Sequence, residues 1–272
     1  MEKTYLTNKK LACITLDYEK DYGDRIGEFN IIDQSVELNG LKDLFNKLDI
    51  PVSLFVTTNL LEDFSDSFNL ATSLGNDFHS HSHTHNTNYP DTQYEIKQSK
   101  LVFEKYFKSS PIGYRAPQGV LNPGDRDLLI KAGYNFSSSV FPSFRPGKYS
   151  NLSSSINPTI YENGFVEMPF AVVKKIRYTF SLSYLKLLGI QLNKLLISSF
   201  GLPNIVVFDS HLHDYITNEE SLKQLPPNIR RAYSIRKNLG MQYMEEAVLL
   251  LKKQGYEFIT MTELYEEIKS NH

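Results

Sequence analysis

Tryptophan is absent from the 272 residues, and Cys13 is the only cysteine. A lone thiol excludes an internal disulfide framework and a cysteine-rich zinc site. No run approaches the roughly eighteen apolar residues of a membrane-spanning helix. The first ten residues are polar and lack the apolar stretch of a signal peptide, so the expectation is a soluble cytoplasmic chain. A dominant charge is missing too: 29 Lys and Arg stand against 31 Asp and Glu, for a net charge of −2. That balance argues against nucleic acid or an anionic membrane as the main partner. No repeat, low-complexity tract or Pro/Gly/Ser linker marks a second domain.

What is present is ample core material, with 17 Phe and 17 Tyr, arranged in alternating strand-like and helix-like segments. Residues 11–16, 51–57, 205–208 and 258–261 read as buried strands. Residues 41–48, 94–107, 125–132, 241–253 and 263–269 have helical spacing, two of them stopped by Gly133 and Gly255. Alternation of this kind predicts a parallel sheet with crossover helices, closed or open. In such folds ligands bind beyond the carboxyl ends of the strands.

The polar residues concentrate at those ends. Four of the seven histidines, His79, His81, His83 and His85, alternate with Ser80, Ser82 and Thr84. A solvated His-rich loop has the same composition, but the position ahead of a helix inside the domain favours a metal site. Asp17 and Glu19 follow the first strand; residues two apart share a side, so both can face one site while Tyr18 points away. For either carboxylate alone, a helix cap or turn is the competing reading. Arg115 lies in a turn shaped by Pro117 and Gly119 and suits a grip on a carboxylate. Asp209, His211, His213 and Asp214 follow the strand at 205–208.

Together these motifs resemble the polysaccharide deacetylase family of metal-dependent carbohydrate esterases, over residues 10–269. The resemblance implies an α/β fold, a single-domain distorted (β/α) barrel of about seven strands. Residues 1–9 would be an N-terminal extension and 10–272 the catalytic domain. Residues 75–85 resemble the motif H-[S/T]-x-x-H, which implies His81 and His85 as metal ligands and His79 and His83 as non-ligands. Residues 115–119 resemble R-x-P-x-G, which implies that Arg115 holds the base carboxylate; Gln118 stands where an aromatic is usual. Residues 138–142 and 167–169 are similar to two further family stretches.

The family's commonest first motif has two adjacent aspartates, whereas here Tyr18 takes the second place and the sequence fits a D-x-E branch. That form implies Asp17 as base and Glu19 as third ligand, with Asp17 or Asp21 as alternatives for the ligand. It also implies His211 as the acid, with His213 the alternative, and Pro117, Gln118 and His213 as substrate contacts. The activity implied is a hydrolase that uses a divalent metal, zinc being the expected ion. It would remove an N-acetyl group from an amino sugar or surface-polysaccharide precursor, lipid-linked glycans included. A deformylase or cyclic-amide hydrolase on the same scaffold, and a non-catalytic glycan- or metal-binding relative, are the other readings. Residues 182–200, apolar over a wide face, read as a barrel helix in preference to a membrane-surface patch.

Overall fold

A computed structural model describes residues 2–22, 31–86, 92–122 and 124–271. Its centre is Leu11–Tyr18 (β1), buried along its whole length. Val52–Val56 (β2), Asp77–Ser80 (β3), Gly113–Tyr114 (β4), Phe136–Ser137 (β5) and Val166–Glu167 (β6) follow on one side, and Ile205–His211 (β7) pairs on the other. These strands run parallel in the order β6-β5-β4-β3-β2-β1-β7. Glu257–Phe258 (β8) pairs with Leu11 and Ala12, on the flank that β2 occupies from Ile14 onward. Just beyond β6, the Ala171 N–H donates to the Val207 carbonyl of β7 at 3.0 Å, which brings the two ends of the sheet together. The result is the parallel (β/α) barrel that the resemblance implies, the closed form of the sheet that alternation alone left open.

Parallel strands need long crossovers, and helices supply them except between β5 and β6, where only short strands lie. Ser35–Leu48 (α1), Thr92–Phe107 (α2), Asp125–Ala132 (α3), Leu182–Leu188 (α4), Ile190–Phe200 (α5), Pro227–Ser234 (α6), Gly240–Lys253 (α7) and Met261–Ser270 (α8) are the ones used below. Two segments differ from expectation. The strand read over residues 258–261 ends at Phe258, because Thr260 and Glu263 form a capping box that starts α8: the Glu263 N–H donates to Thr260 Oγ1 and the Thr260 N–H to Glu263 Oε2. The stretch 182–200 is two helices, broken where Gly189 adopts a φ of 84°. Residues Lys3–Thr4 pair antiparallel with Thr159–Ile160, at the β6 edge of the sheet.

Strand alternation sorts the core into two regions. Ala12, Ile14, Leu16 and Tyr18 face outward and pack under the helices with Val206, Phe208, Leu54 and Val56. Leu11 and Cys13 face inward with Ile205, Val207, Phe55, Phe136 and Met261. The same inward parity continues upward through Thr15 to Asp17 on β1 and through Asp209 to His211 on β7, whose register sets His211 opposite Asp17. The barrel interior is therefore apolar at its base and ionisable at its carboxyl end.

One polar group breaks that pattern at the base. Asp77 accepts from the Ser53 hydroxyl at 2.9 Å, His79 Nε2 at 2.8 Å, and the N–H and hydroxyl of Thr262 at 3.0 and 2.7 Å. Ser53 Oγ in turn accepts the Met261 N–H, so Ser53 and Asp77 together satisfy the first backbone donors of α8. Burial pushes the Asp77 carboxyl up, but His79 and Thr262 outweigh it and hold the group well below the usual carboxylate range. Asp77→Ala is expected to cost about 2–4 kcal/mol in urea unfolding at neutral pH, with metal binding unchanged. A depressed carboxyl stabilises the fold above its unfolded-state value and loses that contribution on acidification. The gap between wild type and variant should therefore narrow as the pH falls below about 4.

Candidate functional site

Beyond β3 the chain turns through Ser82 and His85, both at positive φ (60° and 58°). The Ser82 hydroxyl oxygen accepts the His85 N–H at 3.1 Å. Glu95 of α2 accepts the N–H groups of His83 and Thr84, each at 2.8 Å, and the Thr84 hydroxyl at 2.6 Å. This pinned turn brings His81 and His85 to one side, with ring centroids 4.8 Å apart. His83 points elsewhere, with Nδ1 3.1 Å from the Thr58 hydroxyl, and His79 belongs to the base of the barrel.

Glu19 meets the two rings directly. Its Oε1 lies 3.1 Å from His81 Nε2 and 3.2 Å from His85 Nε2, while Oε2 is buried with no hydrogen-bond partner. The Arg115 carbonyl can only accept, so His81 Nδ1 donates to it (N···O 3.0 Å), and Nε2 is the atom turned toward Glu19. A lone pair facing a carboxylate oxygen is repulsive unless a proton or a cation sits between them. Ligands held about 2.0–2.1 Å from a tetrahedral ion are roughly 3.3 Å apart, close to the distances here. Burial alone would raise the Glu19 carboxyl, but His85 and His81 hold it well below its usual range. Burial would lower His85, and Glu19 raises it instead. The residues present therefore fit a divalent ion: Glu19, His81 and His85 each offer one donor atom within 4.8 Å of the others.

Arg115, 1% exposed, is the fixed cation of the site. Its guanidinium lies between the ring faces of Phe55 and Phe170, 3.8 and 4.6 Å from their centroids. One nitrogen, Nη1, donates to Asp17 Oδ1, Asp209 Oδ1 (2.9 Å) and Thr15 Oγ1 (3.0 Å). Nε and Nη2 donate to the carbonyl and hydroxyl of Ser138. The loop that carries Ser138 is held by Glu167, whose Oε1 accepts the N–H groups of Ser139 and Val140 at 2.9 Å each. Burial pushes the Glu167 carboxyl up to about 7 against the pull of those amides.

His211 stands among four carboxylates. Nε2 is 3.6 Å from Asp17 and 4.0 Å from Glu19; Nδ1 is 3.5 Å from Asp214 and 3.8 Å from Asp209. Burial favours the neutral ring, but these carboxylates prevail and raise His211 well above its ordinary value. Its side chain is 24% exposed. His213 lies under it, 3% exposed, with the rings stacked at 4.7 Å; burial and the neighbouring His211 push it down to about 4. Pro117 and Gln118 are half-buried and border a cavity of about 190 Å³ with Ser82, Tyr114 and Lys148. Gln118 sits at a φ of 55°, and Lys148 reaches its side-chain oxygen at 3.2 Å.

Several residues here carry no motif of their own. Asp209 is signalled only by strand parity, two residues before His211 on the same inward side. Lys186, buried in α4, donates to the Asp214 carbonyl at 2.9 Å and lies 3.4 Å from its carboxylate, a pairing across 28 residues that no local pattern reveals. Asp17, Glu19 and Asp214 stand against Arg115, Lys186 and the raised His211, while burial and the neighbouring Asp17 push the Asp209 carboxyl up to about 7.

Residues 7–137 match the family model described as polysaccharide deacetylase. No curated protein matches the sequence. Among solved structures, a Mycobacterium smegmatis protein assigned as a polysaccharide deacetylase superposes with a TM-score of 0.61 at 15% identity, over 99% of this chain and 93% of that one. The Bc1960 peptidoglycan N-acetylglucosamine deacetylase gives 0.54 at 13% identity, over 95% and 89% of the two chains. BA3943 from Bacillus anthracis, described as a CE4 family pseudoenzyme, gives 0.55 at 11% identity, over 95% and 66%. At these identities the structures speak for the fold. Residues 7–137, which bring Asp17, Glu19, His81, His85 and Arg115, thus match the polysaccharide deacetylase family, and the chain shares the (β/α) barrel of these solved structures through to its C-terminal helix.

Proposed function

We propose that the protein is a metal-dependent hydrolase that removes an N-acetyl group from an amino sugar or surface-polysaccharide precursor. The observation that carries this reading is the convergence of Glu19, His81 and His85 within 4.8 Å, beside an Arg-bound Asp17 and a histidine raised by carboxylates. On this reading Glu19 is the third ligand, in keeping with a D-x-E form of the first motif. Glu19, His81 and His85 hold the divalent ion, zinc by the nitrogen-rich ligand set, and it supplies a Lewis acid for the amide carbonyl and acidifies water.

The chain's own groups do the proton work. Asp17 takes the proton of the attacking water through Oδ2, while Arg115 keeps Oδ1 engaged and the carboxylate oriented. His211 enters as imidazolium, held so by its carboxylate neighbours, and Nε2 delivers the proton to the departing amine. His213, buried and neutral, supports the His211 ring from below. Pro117 and Gln118 shape the wall on which the glycan rests. Glu167 and Ser138 position Arg115.

Metal analysis checks the ligand set. His81→Ala, His85→Ala and Glu19→Gln should each lose the bound ion at micromolar zinc, whereas His83→Ala and Asp21→Asn should keep it. Equal retention in all five variants would remove the assignment.

Acetate release from a panel of N-acetyl sugars tests the activity itself. Asp17→Asn and His211→Ala should each reduce turnover by roughly 10²–10⁴ while metal content survives. Because the acid form is the working form of a raised histidine, the alkaline limb of the pH–rate profile, where His211 loses its proton, should lie above about pH 6.5. Asp214→Asn removes one of the carboxylates facing Nδ1 and should move that decline to lower pH.

A further inference from the structure

The outer side of α4 and α5 is not closed by the barrel. Ile190, Asn193 and Ile197 of α5 are buried, but Leu192 and Leu195 on its other side are 42% and 62% exposed. Leu187 at the end of α4 and Ile176 are exposed as well. Ile176 sits in the turn between Val172–Val173 and Tyr178–Thr179, flanked by Lys174, Lys175 and Arg177. The Lys174 N–H donates to the Gly201 carbonyl, which fixes that turn beside the C-terminal end of α5. At the other end Arg236 covers the Gly189 corner and donates to the carbonyls of Lys186 and Leu187 at 2.9 and 3.0 Å. Tyr233 of α6 packs edge-on against His213 at 4.8 Å, so the same face reaches the His211 side of the site.

Charge follows the same outline. Residues 168–208 and 221–244 contain ten Lys and Arg and no Asp or Glu, which leaves 19 Lys and Arg against 31 Asp and Glu in the rest of the chain. The net charge of −2 therefore hides a segregated distribution, and the argument it makes against an anionic membrane as the main partner is one about the whole chain, not about this face. Lys186, Lys194, Lys223 and Lys237 are paired with Asp214, Glu246, Glu220 and Glu219. The outward charge rests on Lys174, Lys175, Arg231 and Arg236.

We infer that the face formed by α4, α5, the 174–177 turn and α6 docks on an anionic lipid bilayer, with Leu187, Leu192, Leu195 and Ile176 entering the interface and the cations meeting the headgroups. A bilayer surface offers apolar depth and negative charge together, which is what exposed leucines bordered by Lys and Arg require. A second copy of the chain fits less well, since a two-fold contact would set this row of cations against itself. Docking sets the His211 side next to the membrane, which suits a lipid-linked glycan; that consequence alone rests on the deacetylase reading.

Vesicle flotation with the full chain tests the docking. Binding at ~0.1 M salt should rise at least about tenfold when phosphatidylglycerol makes up roughly a third of phosphatidylcholine vesicles. Leu192→Ser/Leu195→Ser and Lys175→Glu/Arg231→Glu should each reduce it by about tenfold, with melting temperature and metal content unchanged. Should the leucine pair unfold the protein, the charge pair, confined to exposed positions, decides alone. Equal binding to neutral vesicles, binding that survives both variants, or no binding would overturn the inference. So would a concentration-dependent dimer abolished by the leucine variant, or capture of a soluble acidic polysaccharide with vesicles left unbound. Acetate release from soluble sugars is scored separately, so failure of either proposal leaves the other standing.

Discussion

Arg115 is the constraint on which the rest of the structure depends. A guanidinium cannot lose its proton, so burying it commits the surroundings to supplying negative charge and hydrogen-bond acceptors. Asp17 and Thr15 answer from β1, Asp209 from β7 and Ser138 from the loop after β5, while Phe55 and Phe170 close over its faces. One side chain thus ties together strands from opposite sides of the sheet near the place where Ala171 and Val207 close it. The same bonds orient Asp17, so the packing of the barrel's upper end and the poise of its carboxylate are one interaction.

Around that cation the site is an exercise in charge balance. Glu19, Asp17, Asp209 and Asp214 crowd a single imidazole, and Lys186 arrives from α4 to meet Asp214. Such a cluster is tolerable in a water-poor interior only when further positive charge completes it. The unpartnered Oε2 of Glu19, beside the Nε2 atoms of His81 and His85 that crowd its Oε1, marks where that charge belongs. The two stacked histidines illustrate how environment divides identical groups. His211 is raised by the carboxylates that ring it, and His213, one layer deeper with His211 beside it, is kept neutral.

The molecule also separates its surfaces by polarity and charge. Base and top of the barrel differ in polarity along the same strands, through nothing more than a period of two and a change of residue type after Cys13 and Val207. Its exterior differs by charge, with an acid-free stretch of helix and turn on one side. Helix α5 serves both arrangements, giving Ile190 and Ile197 to the core and Leu192 and Leu195 to the solvent.

The sequence by itself determined the long elements and which ionisable side chains gather at the strand ends. The strand over residues 11–16, which the structure extends to Tyr18, the helix Asp125–Ala132 and the His81/His85 spacing were legible because each is a local pattern repeated over enough residues to read. Parity alone paired Asp17 with Glu19. Strands of two residues, such as Gly113–Tyr114 and Val166–Glu167, carry no period, and only their neighbours in the sheet make them strands. The partners of Arg115 at Ser138 and Asp209, the Glu95 that pins the histidine turn, and the Lys186–Asp214 pair were decided by tertiary structure alone. They join residues 11 to 94 positions apart, and such contacts exist only once the barrel has brought strand ends together. A sequence records which groups can bear charge; the closed sheet decides which charges must share a buried space.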